Sequence, residues 1–165
     1  MPDRILALDV GDKRIGLAIT DPLGLTAQPL FTLHRITLRA DLKSIARFIR
    51  QHNVTTIVVG NPLNADGTPS PQSAKAQAFA ESLRAEHPAL THHFLDERLT
   101  TREAHDLLDL AGRSPRSARP SSRLSPKDLR LSRKDIIDQV AATLLLESFL
   151  SLQAGPSLLP DPTDT

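Results

Sequence analysis

Ile5-Leu6-Ala7-Leu8-Asp9-Val10-Gly11-Asp12-Lys13-Arg14-Ile15-Gly16-Leu17-Ala18-Ile19 is the stretch on which the fold turns. Two apolar runs flank a short polar turn, the pattern of a hairpin. The first run has the continuous apolar character of a strand buried on both faces. Asp9 sits inside that run. An ionised carboxylate there is costly unless something compensates it. The stretch alone leaves three readings: a strained accident, a hydrogen-bonded turn former, or half of a cation site.

Beyond the hairpin, Gln28 to His34 reads as a third strand. Leu38, Leu42, Ile45, Ala46 and Ile49 recur at helical spacing, so residues 38–52 read as an amphipathic helix that stops at Asn53. Val54 to Val59 is β-branched throughout and reads as a buried strand. Strand, helix, strand implies a parallel crossover. Residues 60–69 are rich in turn formers and read as a loop at the carboxyl end of a parallel strand, where open α/β sheets place their sites.

Ser70-Pro71 opens a second helix, serine as cap and proline at its first position, and Pro88 closes it after about His87. Thr91 to Leu95 reads as a short strand running into Asp96-Glu97-Arg98-Leu99-Thr100-Thr101. Thr100 with Glu103 fits a capping box, with Leu99 and Ala104 as the staple, for a helix to about Ala111 and Gly112. Ser132 caps a last helix through about Leu150, with Asp135 completing its capping box. The expected organisation is an α/β domain over residues 1–150, with a mixed sheet flanked by helices, and a frayed tail over 151–165.

The chain has 165 residues, 39% of them hydrophobic and 24% charged, which suits one soluble globular domain. It has no cysteine, hence neither disulfide nor thiolate metal site. No apolar run is long enough to span a bilayer and no signal-peptide pattern opens the chain, so a cytoplasmic protein without membrane contact is expected. The net charge is +1, but residues 112–134 alone carry +7. That segment, with Arg119, Arg123, Lys127 and Arg130 among its cations, favours a polyanionic partner such as nucleic acid. Its prolines and serines give it the composition of a mobile segment when unbound. Aromatic residues are scarce, with five Phe and no Tyr or Trp. Recognition would therefore rest on phosphates and duplex shape rather than base stacking.

Acids stand at costly places in this layout. Asp9 lies in the first strand, Asp96 and Glu97 follow the strand at 91–95, and Asp138 lies in the last helix. Ala141, Ala142 and Leu145 share a helix face with Asp138 and would let it approach the sheet closely. Asp9, Glu97 and Asp138 together suit Mg²⁺ or Mn²⁺, which take oxygen ligands and promote phosphodiester cleavage. Taken singly, each acid has a plain alternative. Asp9 could bond its own turn, Glu97 could pair with Arg98 or Arg102, and Asp138 could face solvent. Arg14 and Arg98 are candidate phosphate ligands, and the loop position of Asn61 and Asn64 makes them candidate substrate contacts. His92 and His93 are neighbours on a strand and point to opposite faces, which argues against a shared metal. No nucleophile elbow, P-loop or dinucleotide fingerprint is present.

Ala7-Leu8-Asp9-Val10-Gly11 with Arg14-Ile15-Gly16-Leu17-Ala18, then Gly60-Asn61-Pro62-Leu63-Asn64-Ala65-Asp66-Gly67-Thr68, then Asp96-Glu97-Arg98-Leu99-Thr100-Thr101, then Asp138-Gln139-Val140-Ala141-Ala142 follow in order. Over residues 4–150 the sequence closely resembles the YqgF/RuvX family of ribonuclease-H-like proteins. The resemblance implies a five-stranded mixed sheet whose first three strands are antiparallel. It also implies a metal-dependent nuclease assigned to 5′-end maturation of pre-16S ribosomal RNA, with Holliday-junction resolution as a parallel proposal. The family's metal-binding acids would fall on Asp9, Glu97 and Asp138. Two departures bear on the substrate: the family usually carries another residue where Asn61 stands, and its segment before the last helix is shorter and less proline-rich.

Two further classes compete. One is a non-catalytic nucleic-acid-binding or ribosome-assembly factor on a nuclease fold. The other is an actin-like nucleotide-binding domain, disfavoured because such enzymes need two lobes. A resolvase would work as a symmetric homodimer cutting two strands, whereas rRNA trimming requires only a monomer.

Overall fold

The computed structural model describes residues 3–97 and 132–154. In chain order the elements are β1 (Arg4–Val10), β2 (Arg14–Thr20), β3 (Ala27–His34), α1 (Leu38–His52), β4 (Val54–Asn61), α2 (Pro71–Glu86), β5 (Thr91–Asp96) and α3 (Arg133–Ala154). The sheet runs β3-β2-β1-β4-β5. The first three strands pair antiparallel, and β4 joins β1 and β5 in parallel. This is the expected five-stranded mixed sheet. The expected helix at 100–111 and nearly all of the basic segment lie outside the described residues.

Alternation along the strands divides the core into two layers. Leu6, Leu8 and Val10 of β1 point with Ile15, Leu17, Ile57 and Val59 towards α1 and α2. Ile5 and Ala7 point the other way, with Ala18 and Val58, against Ala142, Leu145, Leu146 and Phe149 of α3. Asp9 continues the Ile5–Ala7 series and therefore faces α3.

The helix ends follow their sequence signals. Thr37 accepts from the Ala40 N–H at the start of α1, and Asn53 closes it in the left-handed conformation at φ 53°. Ser70 accepts from the Ser73 N–H at the start of α2. At α3 the capping box is formed in both directions, Asp135 N–H to Ser132 Oγ at 3.2 Å and Ser132 N–H to Asp135 Oδ2 at 3.1 Å.

Boundaries differ from the sequence reading at β3, which begins one residue early at Ala27, and at three further places. β4 continues through Gly60 and Asn61, because ladder partners Leu95 and Asp96 outweigh their turn preference; the loop begins at Pro62. β5 accordingly reaches Asp96. α3 runs to Ala154, four residues into the expected tail, since no breaker precedes Gly155. Among the described residues, no helix is long and apolar enough to cross a membrane.

Candidate active site

Asp9 is the penultimate residue of β1, and Glu97 follows the last residue of the parallel strand β5. The carboxyl ends of β1, β4 and β5 lie side by side, so both acids emerge at the same end of the sheet. Two glycines make room for the site. A Cβ on Gly60 would collide with Oε1 of Glu97, so the Glu97 carboxyl lies over the bare backbone of β4. Gly16 is the cross-strand partner of Asp9, and a Cβ there would overlap the main-chain oxygen of Asp138. Helix α3 thus rests directly on β2 and brings Asp138 beside Asp9.

Electrostatics bind these acids into one unit. The Asp9 and Glu97 carboxyls hydrogen-bond to each other, which requires a proton between them. Burial, the charge of Asp9, their hydrogen bond and the charge of Asp96 push Glu97 up to about 8. Asp9 is raised as well, chiefly by burial, with the nearby charge of Asp138 adding to it. Asp138 itself accepts from Arg14 Nε at 2.6 Å, in a pair whose side chains are 25% and 24% exposed. In this arrangement Asp9 and Glu97 hold each other while Asp138 holds Arg14. Among the described residues no three metal-ligating side chains converge into a ready cage. The donor chemistry nevertheless suits a hard dication: oxygen only, crowded and short of positive charge.

The other candidate residues separate. Asn61 has the opposite parity from Gly60 and faces α2, where its Oδ1 accepts from Ser73 Oγ at 2.5 Å. Asn64 stays in the loop, bonded to Thr68 Oγ1 at 2.9 Å. The Asn61 side chain therefore points to the face of the sheet opposite Asp9. Arg98, Arg119, Arg123, Lys127 and Arg130 lie outside the described residues. Asp135, read as structural, holds its cap and has His34 Nε2 3.0 Å from Oδ1. His92 and His93 do point apart: His92 Nε2 meets the His87 carbonyl at 2.8 Å, and His93 packs on the Phe149 ring.

A brace behind Arg14 escaped the sequence reading. Arg35 donates from Nη1 to the Gly11 carbonyl at 2.9 Å and from Nε to buried Asp41 at 3.0 Å, and lies over the Phe79 ring. It ties the β1–β2 turn to α1 and α2. The available signal was an arginine six residues ahead of an acid, next to Leu42 on the inward face of a helix. Gly16 had a clearer signal, since glycine inside a strand often marks a close approach, whereas Gly60 was read as the start of the loop and gave none.

A mixed sheet in this order, with acids at the ends of β1 and β5 and on a helix laid across its face, defines a ribonuclease-H-like protein. The chain belongs to the RuvX family, described as Holliday junction resolvase, whose sequence model matches residues 3–152. A relative from Moorella thermoacetica is 44% identical over 147 residues, covering 89% of this chain and 94% of its own. One from Syntrophus aciditrophicus is 39% identical over 163 residues, covering 98% and 97%. Each bears the name "Putative pre-16S rRNA nuclease". Among solved structures, the yeast mitochondrial Holliday junction resolvase Ydc2 aligns with TM-score 0.56 at 12% identity, over 93% of this chain and 80% of that one. T. thermophilus RuvC bound to a Holliday junction aligns with TM-score 0.54 at 11% identity, over 92% and 96%. At such identities these two share the fold.

Proposed function

We propose that this protein is a divalent-metal-dependent endonuclease that processes the 5′ end of pre-16S rRNA, working in the cytoplasm as free protein or on ribosomal particles. The observation that carries the reading is the convergence of three acids at one end of the sheet. Asp138 sits on Gly16, the cross-strand partner of Asp9, and the Glu97 carboxyl lies over Gly60 of the neighbouring strand. Burial and mutual repulsion raise Asp9 and Glu97 in keeping with it. Such crowding of acids costs stability unless it serves a cation. The names borne by relatives at 37–44% identity support the RNA substrate.

Asp9, Glu97 and Asp138 would hold Mg²⁺ or Mn²⁺. When bound, the ion supplies a lowered water pKa and charge neutralisation at the scissile phosphate. Asp9 and Glu97 would release their shared proton to solvent on becoming ligands. Arg14, now paired with Asp138, would donate to a phosphate oxygen of the substrate. Gly16 and Gly60, by having no side chain, leave room for the Asp138 main chain and the Glu97 carboxyl against the sheet. Arg98 and the cations of 112–134 would supply further phosphate contacts.

The family description favours a second reading, resolution of four-way DNA junctions. That activity calls for a symmetric dimer, while trimming does not. Parallel incubation of a precursor-16S leader and a four-way DNA junction with Mg²⁺ and with Mn²⁺ separates the readings. Cleavage of the leader at one position is expected. Paired symmetric cuts in the junction alone would move the assignment to resolvase. Salt-sensitive binding of both with cleavage of neither would make the protein a binding factor.

A further inference from the structure

Helix α1 carries Arg39, Lys43, Arg47 and Arg50, at spacings of four, four and three residues. At 3.6 residues per turn these fall within one narrow stripe. All four are exposed, while Asp41, Leu42, Ile45 and Ile49 face inward. Asp41 is the helix's one acid, and it is buried against Arg35. Among the described residues none of the four cations pairs with an acid.

An ordinary solvated helix face mixes signs, because like charges four residues apart destabilise the helix and opposite ones support it. This stripe has only one sign. Arg50, in the last turn, complements the helix dipole, but Arg39 stands in the first turn, at the end where a cation is unfavourable. Helix stability therefore does not account for the pattern. The stripe spans about 16 Å, comparable to the axial rise of about five base pairs of duplex.

Its placement links it to the acids. α1 leaves β3 just after His34, the ladder partner of Arg14. Arg39 thus lies at the sheet end where Asp9 and Glu97 emerge, and Arg50 at the far end.

We propose that the outer face of α1 is a second nucleic-acid surface, on which Arg39, Lys43, Arg47 and Arg50 track the phosphates of a double-helical segment. That this segment belongs to the molecule being cut rests on the nuclease reading; the phosphate binding does not. Phosphate contacts position a duplex without reading sequence, so the surface takes RNA stems and DNA alike.

The test compares full-length protein with two variants of equal charge change, Lys43→Gln/Arg47→Gln on the stripe and Lys75→Gln/Arg84→Gln on α2. Each is titrated with a blunt RNA duplex and a DNA duplex of one sequence, in chelator, over a range of NaCl. Chelator prevents cleavage, so failure of the nuclease reading leaves this measurement intact. The stripe pair is expected to make the slope of log affinity against log salt shallower by about 1.8 on DNA, with weaker binding to both duplexes. The α2 pair is expected to change the slope little. The single variants Lys43→Gln and Arg47→Gln, each worth about 0.9, carry the test if the double variant melts early. Equal losses from both pairs would reduce the effect to net charge and overturn the proposal. So would an unchanged slope for the stripe variants, or their selective loss of binding to anionic vesicles with duplex binding intact.

Discussion

Arg14 donates from Nε to Oδ2 of Asp138 across 2.6 Å, joining two residues 124 positions apart in the chain. The guanidinium is a built-in counter-cation for one acid of the site. On the proposed reading, a metal ion held by Asp138 would compete with this guanidinium for the carboxylate charge, and a substrate phosphate would offer Arg14 a second partner. Pairs this exposed contribute about 1 kcal/mol or less. Arg14→Gln is therefore expected to tighten Mn²⁺ binding without nucleic acid by up to about fivefold and to weaken duplex binding. Calorimetric titration with Mn²⁺ measures the first effect, and unchanged or weaker Mn²⁺ affinity would contradict it.

The carboxyl pair makes stability depend on pH. Glu97 is raised from 4.5 to about 8 in the folded chain, by burial first and by Asp9 second. Between those values the folded state holds a proton that the unfolded state has released. Metal-free stability therefore falls as pH rises through this window and levels off above it. Asp9, also raised, acts with the same sign. Thermal melts in chelator between about pH 5 and pH 8 should show the midpoint falling. Glu97→Gln should remove much of the decline, and saturating Mg²⁺ should oppose it. A wild-type profile parallel to that of Glu97→Gln would show that the pair does not hold the proton.

Gly60 and Gly16 should fail in different ways when given a side chain. At Gly60 the new methyl meets the end of the flexible Glu97 side chain, which can turn aside. Gly60→Ala should fold nearly as well as wild type yet lose about a hundredfold in cleavage, the cost of misplacing a catalytic group by about 1 Å. At Gly16 the methyl meets the main chain of Asp138, which cannot turn aside. Gly16→Ala should lose roughly 1–3 kcal/mol of stability. Melting temperature and turnover measured on both variants separate the two effects.

The sequence is most legible where a residue contradicts its surroundings. Asp9 in an apolar run, and Asp138 aligned with Ala141, Ala142 and Leu145, could be read directly, because burial makes charge expensive. Asn61 could not. Gly60-Asn61-Pro62 looks like turn sequence, and only pairing with Leu95 and Asp96 keeps it in β4. With the strand two residues longer, alternation turns Asn61 towards α2. The Arg14–Asp138 pair has no local signal, since it needs the whole chain folded before its ends meet. The α1 stripe is legible from spacing alone, since Arg39, Lys43, Arg47 and Arg50 recur at helical intervals within residues 38–52.

The central claim is that Asp9, Glu97 and Asp138 form one metal-dependent cleavage site. It is tested most directly by comparing wild type, Asp9→Asn, Glu97→Gln, Asp138→Asn and the triple variant on a precursor-16S leader with Mn²⁺, with Asp135→Ala as the structural counterpart. Each single acid variant should lose about as much activity as the triple, because ligands of one site act as a unit, and each should stay folded. Asp135→Ala should instead keep the activity and melt lower, having lost a cap contributing about 1 kcal/mol. Undiminished cleavage by a folded Asp138→Asn protein, or losses that simply add across the three acids, would contradict the account.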